Sequence, residues 1–311
     1  MLVRIFFPCF SILACLSAIS FSQSTGQTQM SAVASSQGIT VLDGIRPVLT
    51  FQQAAQSKDG KWPRANYVHP LYDLDGEMIT EDFPSDHGHH RGVFWAWHQV
   101  LVGDKALGDA WACENFQWDV QQANVVTGEK QATITATTLW KSPDLVSNDG
   151  QLIPCVREHV TIVVHAAEAN VRSIDFNLEF LALVDDVRIG GSDDDKGYGG
   201  FSPRIKLTDN VQFTGSGGTI EPQVTAIQAG PWVDVGNRQG GVVILSHPSN
   251  PGHPQPWILR GSRSMQNVAY PGRHPVPLSK TEPLRLRYRL GIHRGELTAD
   301  QIDELWQEYA K

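Results

Sequence analysis

Apolar and polar residues alternate with a period of two along many short stretches of the chain. In VREHVTIVVH, residues 156–165, one face carries Val156, Glu158, Val160, Ile162 and Val164. The same alternation occurs in RSIDFNLEFLAL at 172–183, and similar short strands are indicated within 123–140, 240–248 and 283–293. Clusters of Gly, Pro, Asn and Asp separate these segments, which is typical of turns. The pattern predicts an all-β chain that folds as a large antiparallel β-sandwich.

The end of the chain has a helical pattern. Thr298 and Gln301 have the spacing of a capping box, and the apolar residues Ile302, Leu305 and Trp306 follow. This predicts a short C-terminal helix. No repeat and no linker interrupts residues 38–311, so we predict a single β-sandwich domain there.

The first 37 residues have a different composition from the rest. Residues 1–22 combine Arg4 with an apolar run that ends in small polar residues, which predicts a secretory signal peptide. Lipid attachment at Cys15 is a weaker alternative, because the residues that follow Cys15 are still apolar. Residues 23–37 are small and polar, which predicts a disordered tether. We therefore expect an exported protein, periplasmic or extracellular after cleavage.

The charge and the remaining apolar segments limit the classes of partner. The formal net charge is −8 and no cluster of Lys and Arg is present, which argues against nucleic acid or an anionic membrane surface. No segment after the leader has the roughly 18 to 20 apolar residues that span a bilayer, so no transmembrane anchor is expected. Cys113 and Cys155 remain after cleavage, and they are either a disulfide or two buried thiols.

The segment DFPSDHGHHRGVFWAWH, residues 82–98, contains four of the eleven histidines, and these four lie within a stretch of twelve residues. Glycines and a proline predict a loop at 86–91, followed by a strand at 93–100. In an extended segment His87 and His89 share a face, with His90 opposite. With Asp86, the first two could hold Zn²⁺ or a similar divalent ion.

The same cluster also suits chemistry without a metal. Imidazoles near neutral pH act as general acids and bases, with Asp86 orienting a ring and Arg91 binding an anion. A third interpretation is that these side chains only form hydrogen bonds with the backbone of a tight loop. Nearby, Trp95 and Trp97 share a strand face, where they form either a platform for a sugar ring or part of the core, and the core is favoured.

Other polar segments supply further candidate residues. His69 precedes Pro70, is held extended and could join the cluster. The glycine-rich segment GGSDDDKGYGGFSPRI, residues 190–205, predicts either a solvated turn or a flexible substrate loop. In the second case Lys196 or Tyr198 transfers a proton and Arg204 binds an anion.

Two more histidine-bearing segments follow. SHPSNPGHPQPW, residues 246–257, places His247, Asn250 and Trp257 on a loop stiffened by prolines, as a recognition surface requires. His293 ends the last predicted strand and is either a surface residue or a proton donor.

Five segments carry a resemblance to a known family: YVHPLYDLDG, DFPSDHGHHRG, DDKGYGGFSPR, HPSNPGHPQPW and YRLGIHRG. They resemble exported bacterial proteins called methane oxygenase PmoA or PmoA-like, over nearly the whole mature chain. Methane oxidation does not follow, because the genuine monooxygenase subunit is a multi-helix membrane protein. The resemblance implies a sandwich of the galactose-mutarotase kind with a sugar-handling cleft, and it carries no established catalytic residues.

We therefore predict an exported carbohydrate-active enzyme with epimerase-like, lyase-like or hydrolytic chemistry on a sugar or keto-sugar. One imidazole among His87, His89 and His90 would remove a proton. Arg91 or Arg204 would stabilise the oxyanion, and His293 or Tyr198 would return the proton. The residues predicted to bind substrate are His69, Trp97, Lys196, Arg204, His247, Asn250 and Trp257.

Two other classes of protein compete with this prediction. A non-catalytic carbohydrate-binding or envelope protein would have a shallow aromatic strip and scattered histidines. An enzyme would instead have a deep cleft in which the histidine-bearing segments converge. A metal-dependent oxygenase of the cupin type is disfavoured, because the His-x-His sequence is not followed by the expected glutamate.

Overall fold

A computed structural model describes residues 29–262 and 265–311. The predicted signal peptide, residues 1–22, lies outside the described residues. The strands in chain order are β1 (Met30–Ala34), β2 (Gly38–Asp43), β3 (Arg46–Gln52), β4 (Gln56–Lys58), β5 (Lys61–Arg64), β6 (Tyr67–Leu71), β7 (Val93–Trp97), β8 (Gln99–Val102), β9 (Lys105–Ala106), β10 (Gln117–Thr127), β11 (Gln131–Lys141), β12 (Val156–His165), β13 (Val171–Ala182), β14 (Val187–Gly190), β15 (Gly199–Pro203), β16 (Gln212–Gly215), β17 (Gly218–Thr219), β18 (Trp232–Asn237), β19 (Gly240–Ser246), β20 (Trp257–Ile258), β21 (Asn267–Ala269), β22 (Val276–Pro277) and β23 (Leu284–Arg294). One helix, α1 (Ala299–Tyr309), follows.

Two large antiparallel sheets form the body of the molecule. The eight-stranded sheet has the order β1-β2-β3-β6-β7-β15-β21-β20, and the nine-stranded sheet has the order β10-β11-β12-β13-β23-β19-β18-β16-β17. Two smaller sheets, β22-β14-β8-β9 and β4-β5, complete the fold. The predicted fold class, an all-β antiparallel sandwich with a short C-terminal helix, is confirmed.

Aromatic residues join the inner faces of the two large sheets. The ring of Trp95 on β7 lies 6.2 Å from that of Phe176 on β13, and Trp97 lies 5.1 Å from Phe180. The alternation predicted along β12 and β13 is confirmed, because alternate side chains of these strands are buried. Trp95 and Trp97 are therefore core residues, and the prediction that Trp97 binds substrate is corrected by its burial.

Of the acids in the described part of the chain, Glu158 on β12 is the one buried in the core. Its carboxylate is fully buried and accepts hydrogen bonds from Trp95 Nε1, from Asn66 Nδ2 at 2.7 Å and from Trp140 Nε1 at 2.6 Å. Burial raises the pKa of Glu158 to about 7, against the lowering effect of these three donors. A polar group thus links strands from both sheets inside the sandwich.

The predicted tether needs a correction. Residues 30–34 form β1, which pairs with β2 in a register that runs from Met30 opposite Asp43 to Ala34 opposite Ile39. Met30 is fully buried. The small residues of this segment suggested disorder, but an edge strand is stabilised by backbone pairing and needs few large side chains.

Helix α1 begins as predicted. The side chain of Thr298 accepts from Gln301 N, and the side chain of Gln301 completes the capping box. Ile302 is buried against Val243 and Leu245 of the nine-stranded sheet. The capped helix therefore covers part of that sheet on its face away from the sandwich core.

The described residues also show the state of the two cysteines and the length of the helix. Cys113 and Cys155 are free and buried, so of the two alternatives the structure has buried thiols. Within 29–262 and 265–311, the only helix is too short and too polar to span a bilayer.

Candidate functional site

A tight loop carries the clustered histidines, and Arg91 anchors it. The Arg91 side chain is fully buried, donates to Asp82 and to the Tyr67 hydroxyl, and lies 3.6 Å from the centre of the Phe83 ring. It also donates to the Trp62 carbonyl at 2.8 Å. Arg91 was predicted to act on substrate, but its donors are used inside the fold, so it holds the loop in place.

The loop brings three imidazoles together. The backbone N–H of His90 donates to the carbonyl of His87 at 2.9 Å, which closes a turn. The rings of His87 and His90 stack at 4.8 Å, and His89 meets them edge-on at 5.7 and 4.6 Å. The strand-like arrangement, with His90 opposite the other two, is therefore wrong: in a turn, residues three apart come together.

Arg204 supports the loop from behind. It is buried and donates to Glu81 and Asp86, at 2.9 Å each, and to Nδ1 of His90 at 3.0 Å. A guanidinium can only donate, so Nδ1 of His90 accepts and Nε2 carries the proton. Arg204 was predicted to bind substrate, but its guanidinium is engaged by protein groups and it orients His90 instead.

The imidazoles of His89 and His90 are uncharged at neutral pH. Desolvation, followed by the charges of His87 and Arg64, lowers the pKa of His89 to about 4. Desolvation also lowers the pKa of His90 far below its usual range, and neighbouring His89 and Arg204 add to the effect. Neutral imidazole is the form that can accept a proton or donate a hydrogen bond without a net charge.

The fourth histidine of the cluster, His98, also lines the cleft. Its Nδ1 lies 2.8 Å from Oδ2 of Asp109, and its ring stacks on Trp111 at 5.3 Å. The Trp111 ring also meets His90 at 6.0 Å and Tyr198 at 5.6 Å. The sequence-based prediction of site residues did not include His98, Asp109 or Trp111. Strand alternation was the available signal, because it places His98 on the face of β7 opposite Trp95 and Trp97.

The glycine-rich segment contributes Lys196 and Tyr198, as predicted for a substrate loop. The Tyr198 hydroxyl accepts from Arg260, and Nζ of Lys196 lies 5.8 Å from the centre of the Tyr198 ring. Arg260 also donates to the carbonyls of Gln223, Leu259 and Val224. Nothing in the sequence around Arg260 pointed to this role.

Together these segments surround a cleft of about 600 Å³. Its polar lining includes His87, His89, His90, His98, Asp194, Lys196, Tyr198 and Arg260. The strand order explains the convergence, since β7, β15 and β21 are neighbours and the lining segments flank them. Trp97 at the end of β7 pairs with Gly199 at the start of β15, so the adjacent residues His98 and Tyr198 lie at the same end of this strand pair.

The remaining predicted site residues lie outside this cleft. His69 is partly buried, with Nδ1 3.0 Å from the Thr80 hydroxyl. His293 faces another cleft, of about 360 Å³, where Nδ1 lies 2.7 Å from the Gly295 carbonyl and Nε2 3.1 Å from Asp234. Both nitrogens of His293 are engaged, so the structure does not support it as the proton donor of the histidine cleft.

The proline-rich loop is also separate, and its predicted recognition residues are structural. Nδ1 of His247 accepts from the Ser249 N–H at 3.0 Å, and its ring meets Tyr309 of α1 at 5.1 Å. The Asn250 amide donates to the Arg287 carbonyl at 2.7 Å. Trp257 is buried and donates to the Gly230 carbonyl at 2.9 Å. Burial among protein partners therefore replaces the predicted contact with substrate.

The metal interpretation does not fit the donor set. One oxygen of Asp86 accepts from Arg204, and the other lies 2.9 Å from Nδ1 of His87. In the described part of the chain, no three His, Cys, Asp or Glu side chains are grouped to hold a metal ion. The hydrogen bonds instead orient the imidazoles, which is what acid/base chemistry requires.

Comparison with other proteins gives a family and several structural likenesses. No curated protein matches the sequence. One similar solved structure is "a putative mutarotase (YeaD) from Salmonella typhimurium", with 12% identity and a TM-score of 0.35, covering 86% of this chain and 94% of the other. Residues 39–307 match the family described as "Family of unknown function (DUF6807)". The match covers most of the chain, which therefore belongs to this family.

Proposed function

We propose that the protein is an acid/base enzyme that moves a proton on a sugar or keto-sugar in the histidine cleft. The observation that carries the proposal is the convergence of His89, His90 and His98 with Tyr198 in one cleft, with two of the rings held in defined tautomers. A cleft of about 600 Å³ falls in the range of small-molecule sites. Its many donors and acceptors suit hydroxyl groups.

His98 is the best candidate for the base. The Asp109 carboxylate accepts from Nδ1, which leaves a lone pair on Nε2. When Nε2 takes a proton from the carbon next to a carbonyl, the electron pair of the C–H bond moves toward the carbonyl oxygen. That oxygen gains negative charge and needs a donor.

His90 and Tyr198 are suited to the other steps. Nε2–H of His90 is a neutral donor that can hydrogen-bond the oxyanion. The Tyr198 hydroxyl, beside the Arg260 guanidinium, can return a proton to the carbon. Return of the proton to the opposite face of the carbon gives an epimer. Loss of a leaving group from the neighbouring carbon gives an elimination product.

The cleft favours these reactions over hydrolysis by a pair of carboxylates. Among the described residues that line it, Asp194 is the one acid, and it is bonded to the backbone N–H groups of Lys196 and Gly197. Hydrolysis of a glycosidic bond usually needs two facing carboxyl groups. We therefore propose epimerase-like or lyase-like chemistry ahead of hydrolytic chemistry.

Hydrogen exchange in D₂O tests this function without knowledge of the product. Neutral sugars, keto-sugars and uronates are incubated with the protein, and NMR follows replacement of carbon-bound hydrogen by deuterium. We expect His98→Ala to slow the exchange by about 10² to 10⁴ fold. His159→Ala is the control, because His159 is an exposed histidine on β12, and should leave the rate unchanged.

Two results would count against the proposal. Equal exchange rates in the protein and in His98→Ala would remove His98 from the mechanism. Sugar binding in the cleft without exchange of any substrate would favour the alternative, a carbohydrate-binding or envelope protein.

Export and kinship with the PmoA-like proteins belong to the same proposal. The support is the composition of residues 1–22 and the five segments quoted above. N-terminal sequencing of the protein recovered from outside the cytoplasm should give a first residue between Ser20 and Gln27. A first residue at Cys15 would instead indicate the lipoprotein alternative.

A further inference from the structure

Three cations lie in or beside the histidine cleft without a carboxylate partner. They are Arg64, Lys196 and Arg260. None forms a salt bridge with a described residue, whereas nearby Arg204 and Arg273 are each bonded to acids. A protein usually pairs its cations or leaves them to water, so unpaired cations that converge on a cleft suggest an anionic ligand.

Among the described residues, Arg260 is held by uncharged groups alone. Its Nη1 donates to the carbonyl of Gln223 at 2.6 Å, and its Nη2 donates to that of Val224 at 2.9 Å and to the Tyr198 hydroxyl. The guanidinium is half-buried and lines the cleft. These bonds fix its position but do not neutralise its charge.

Lys196 is the cation with the most freedom. Its side chain is half-buried and lines the cleft, and its ammonium has no hydrogen-bond acceptor among the described residues, although it lies near the Tyr198 ring. Asp194 is close enough to interact by charge, but its Oδ1 is occupied by Ser192 and by two backbone N–H groups.

Arg64 lies beneath the cleft. It is 1% exposed, and its Nη2 donates to the Ala110 carbonyl at 2.6 Å, just before Trp111. Its Nε and Nη1 are buried without a partner among the described residues. Burial lowers the pKa of Arg64, but a guanidinium stays charged at neutral pH. Its charge reaches the cleft, where it disfavours protonation of His89 and His90.

Two acids stand behind the imidazoles, whereas Asp194 lines the cleft beside Lys196. Asp86 is bonded to His87 and Arg204, and Asp109 is bonded to His98. On the Tyr198 side two cations, Lys196 and Arg260, face one lining carboxylate, Asp194, whose Oδ1 already accepts from Ser192 and from two backbone N–H groups. Trp111 touches both groups, through His98 and through Tyr198.

We propose that the substrate is a sugar acid whose carboxylate pairs with Lys196, beside the positive charge of Arg260, while its reacting carbon faces the imidazoles. This inference rests on the proposed function, because it names the substrate class of the same cleft. Cations beside the carboxylate would also stabilise negative charge that develops when the neighbouring C–H bond is broken.

Matched pairs of probes test this inference. D-glucuronate is compared with D-glucose, and D-galacturonate with D-galactose, by NMR titration that follows the histidine ring protons. Lys196→Gln removes the charge without removing a hydrogen bond of the described fold, and Lys196→Arg keeps the charge. Lys130→Gln is the control, because Lys130 is exposed at the turn between β10 and β11.

We expect each uronate to bind at least about fivefold more tightly than its neutral partner, which corresponds to one favourable ion pair. Lys196→Gln should remove most of this preference, whereas Lys196→Arg and Lys130→Gln should keep it. Added salt should weaken uronate binding more than neutral-sugar binding.

The failures of the two proposals are distinguishable. Equal affinity for uronates and neutral sugars, or an unchanged preference in Lys196→Gln, would overturn the sugar-acid inference and leave the proposed function standing. No shift of the histidine signals with any of the four probes would overturn the inference and also count against the function itself.

Discussion

At the residue scale, His90 and His98 show how one sequence cluster yields two chemical roles. Asp109 accepts from Nδ1 of His98, so Nε2 of that ring is an acceptor. Arg204 donates to Nδ1 of His90, so Nε2 of that ring is a donor. An acid/base site needs both. The partner of each Nδ1, rather than the histidine itself, sets the role.

Replacement of one carboxylate oxygen of Asp109 by an amide nitrogen tests the tautomer of His98. In Asp109→Asn the side-chain amide can still accept from the Ala112 N–H, as Oδ1 of Asp109 does at 2.9 Å, while its NH₂ group donates to Nδ1. The Nε2 of His98 would then be protonated and unable to act as a base. We expect deuterium exchange to slow by at least about 10² fold.

The far-ultraviolet circular dichroism of Asp109→Asn should match that of the parent, because the shape of the side chain is kept. Asp104→Asn is the control, since the Asp104 side chain is fully exposed. Full activity in Asp109→Asn would remove the dyad from the mechanism.

Glu158 is the residue whose loss should cost the most stability among the polar core groups. Glu158→Leu leaves the Asn66 amide and the indole N–H groups of Trp95 and Trp140 without their acceptor. We expect the free energy of unfolding to fall by about 3 kcal/mol or more, since each buried donor left unpaired costs about 1 to 3 kcal/mol.

Urea denaturation measures this change. Glu129→Leu is the control, because Glu129 lies at an exposed turn, and surface changes usually stay within about 0.5 kcal/mol. A loss below about 1 kcal/mol in Glu158→Leu would mean that the three donors find other partners.

At the element scale, the histidine loop is held in one conformation by contacts with distant parts of the fold. Arg91 and Arg204 hold it by their guanidinium groups, and Gly88 lets the Trp62 ring pack directly on its backbone. Period-two alternation predicted the strands because each strand carries its own pattern. It could not predict the turn, whose shape depends on residues far away in the chain.

A methyl group at Gly88 tests the packing of this loop. A Cβ there would lie 2.3 Å from the Trp62 ring, so the ring or the loop has to move. We expect Gly88→Ala to lower the free energy of unfolding by about 1 to 3 kcal/mol and to shift the NMR signals of the clustered histidines.

Gly217→Ala is the matched control, because nothing lies within 4 Å of the Cβ position there. It should leave both the stability and the histidine signals nearly unchanged. Identical histidine signals in Gly88→Ala and the parent would show that Trp62 does not fix the loop.

At the scale of the whole molecule, buried titratable groups should make stability depend on pH. Unfolded histidine titrates near pH 6.5, whereas the pKa of His89 and that of His247 are lowered to about 4 in the folded protein. Between pH 4 and 6.5 the unfolded chain therefore binds more protons at these residues, and His90 adds to the effect. This contribution to stability is lost as the pH falls through that window.

Glu158 acts in the opposite direction. Its pKa is raised to about 7 in the folded protein, from 4.5, so its protonated form stabilises the fold at pH 5 relative to pH 7. We expect the histidines to outweigh this one acid and the free energy of unfolding to be higher at pH 7 than at pH 5.

Urea denaturation at pH 5 and pH 7 tests this balance with two variants. The difference should shrink in His89→Gln and grow in Glu158→Gln, since each variant removes one of the opposing groups. A wild-type protein that is more stable at pH 5 would show that the acid dominates.

The sequence by itself determined long alternating strands such as β12 and β13, the capped helix and the clustering of His87, His89 and His90, because these features depend on neighbours along the chain. The tertiary structure alone decided that Arg260 joins Tyr198 in the cleft and that His293 lies elsewhere. The physical reason is the pairing of β15 with β7 and with β21, which brings together segments more than 100 residues apart. It also decided that Arg91 is buried, because burial depends on what packs over a residue and no local pattern records it.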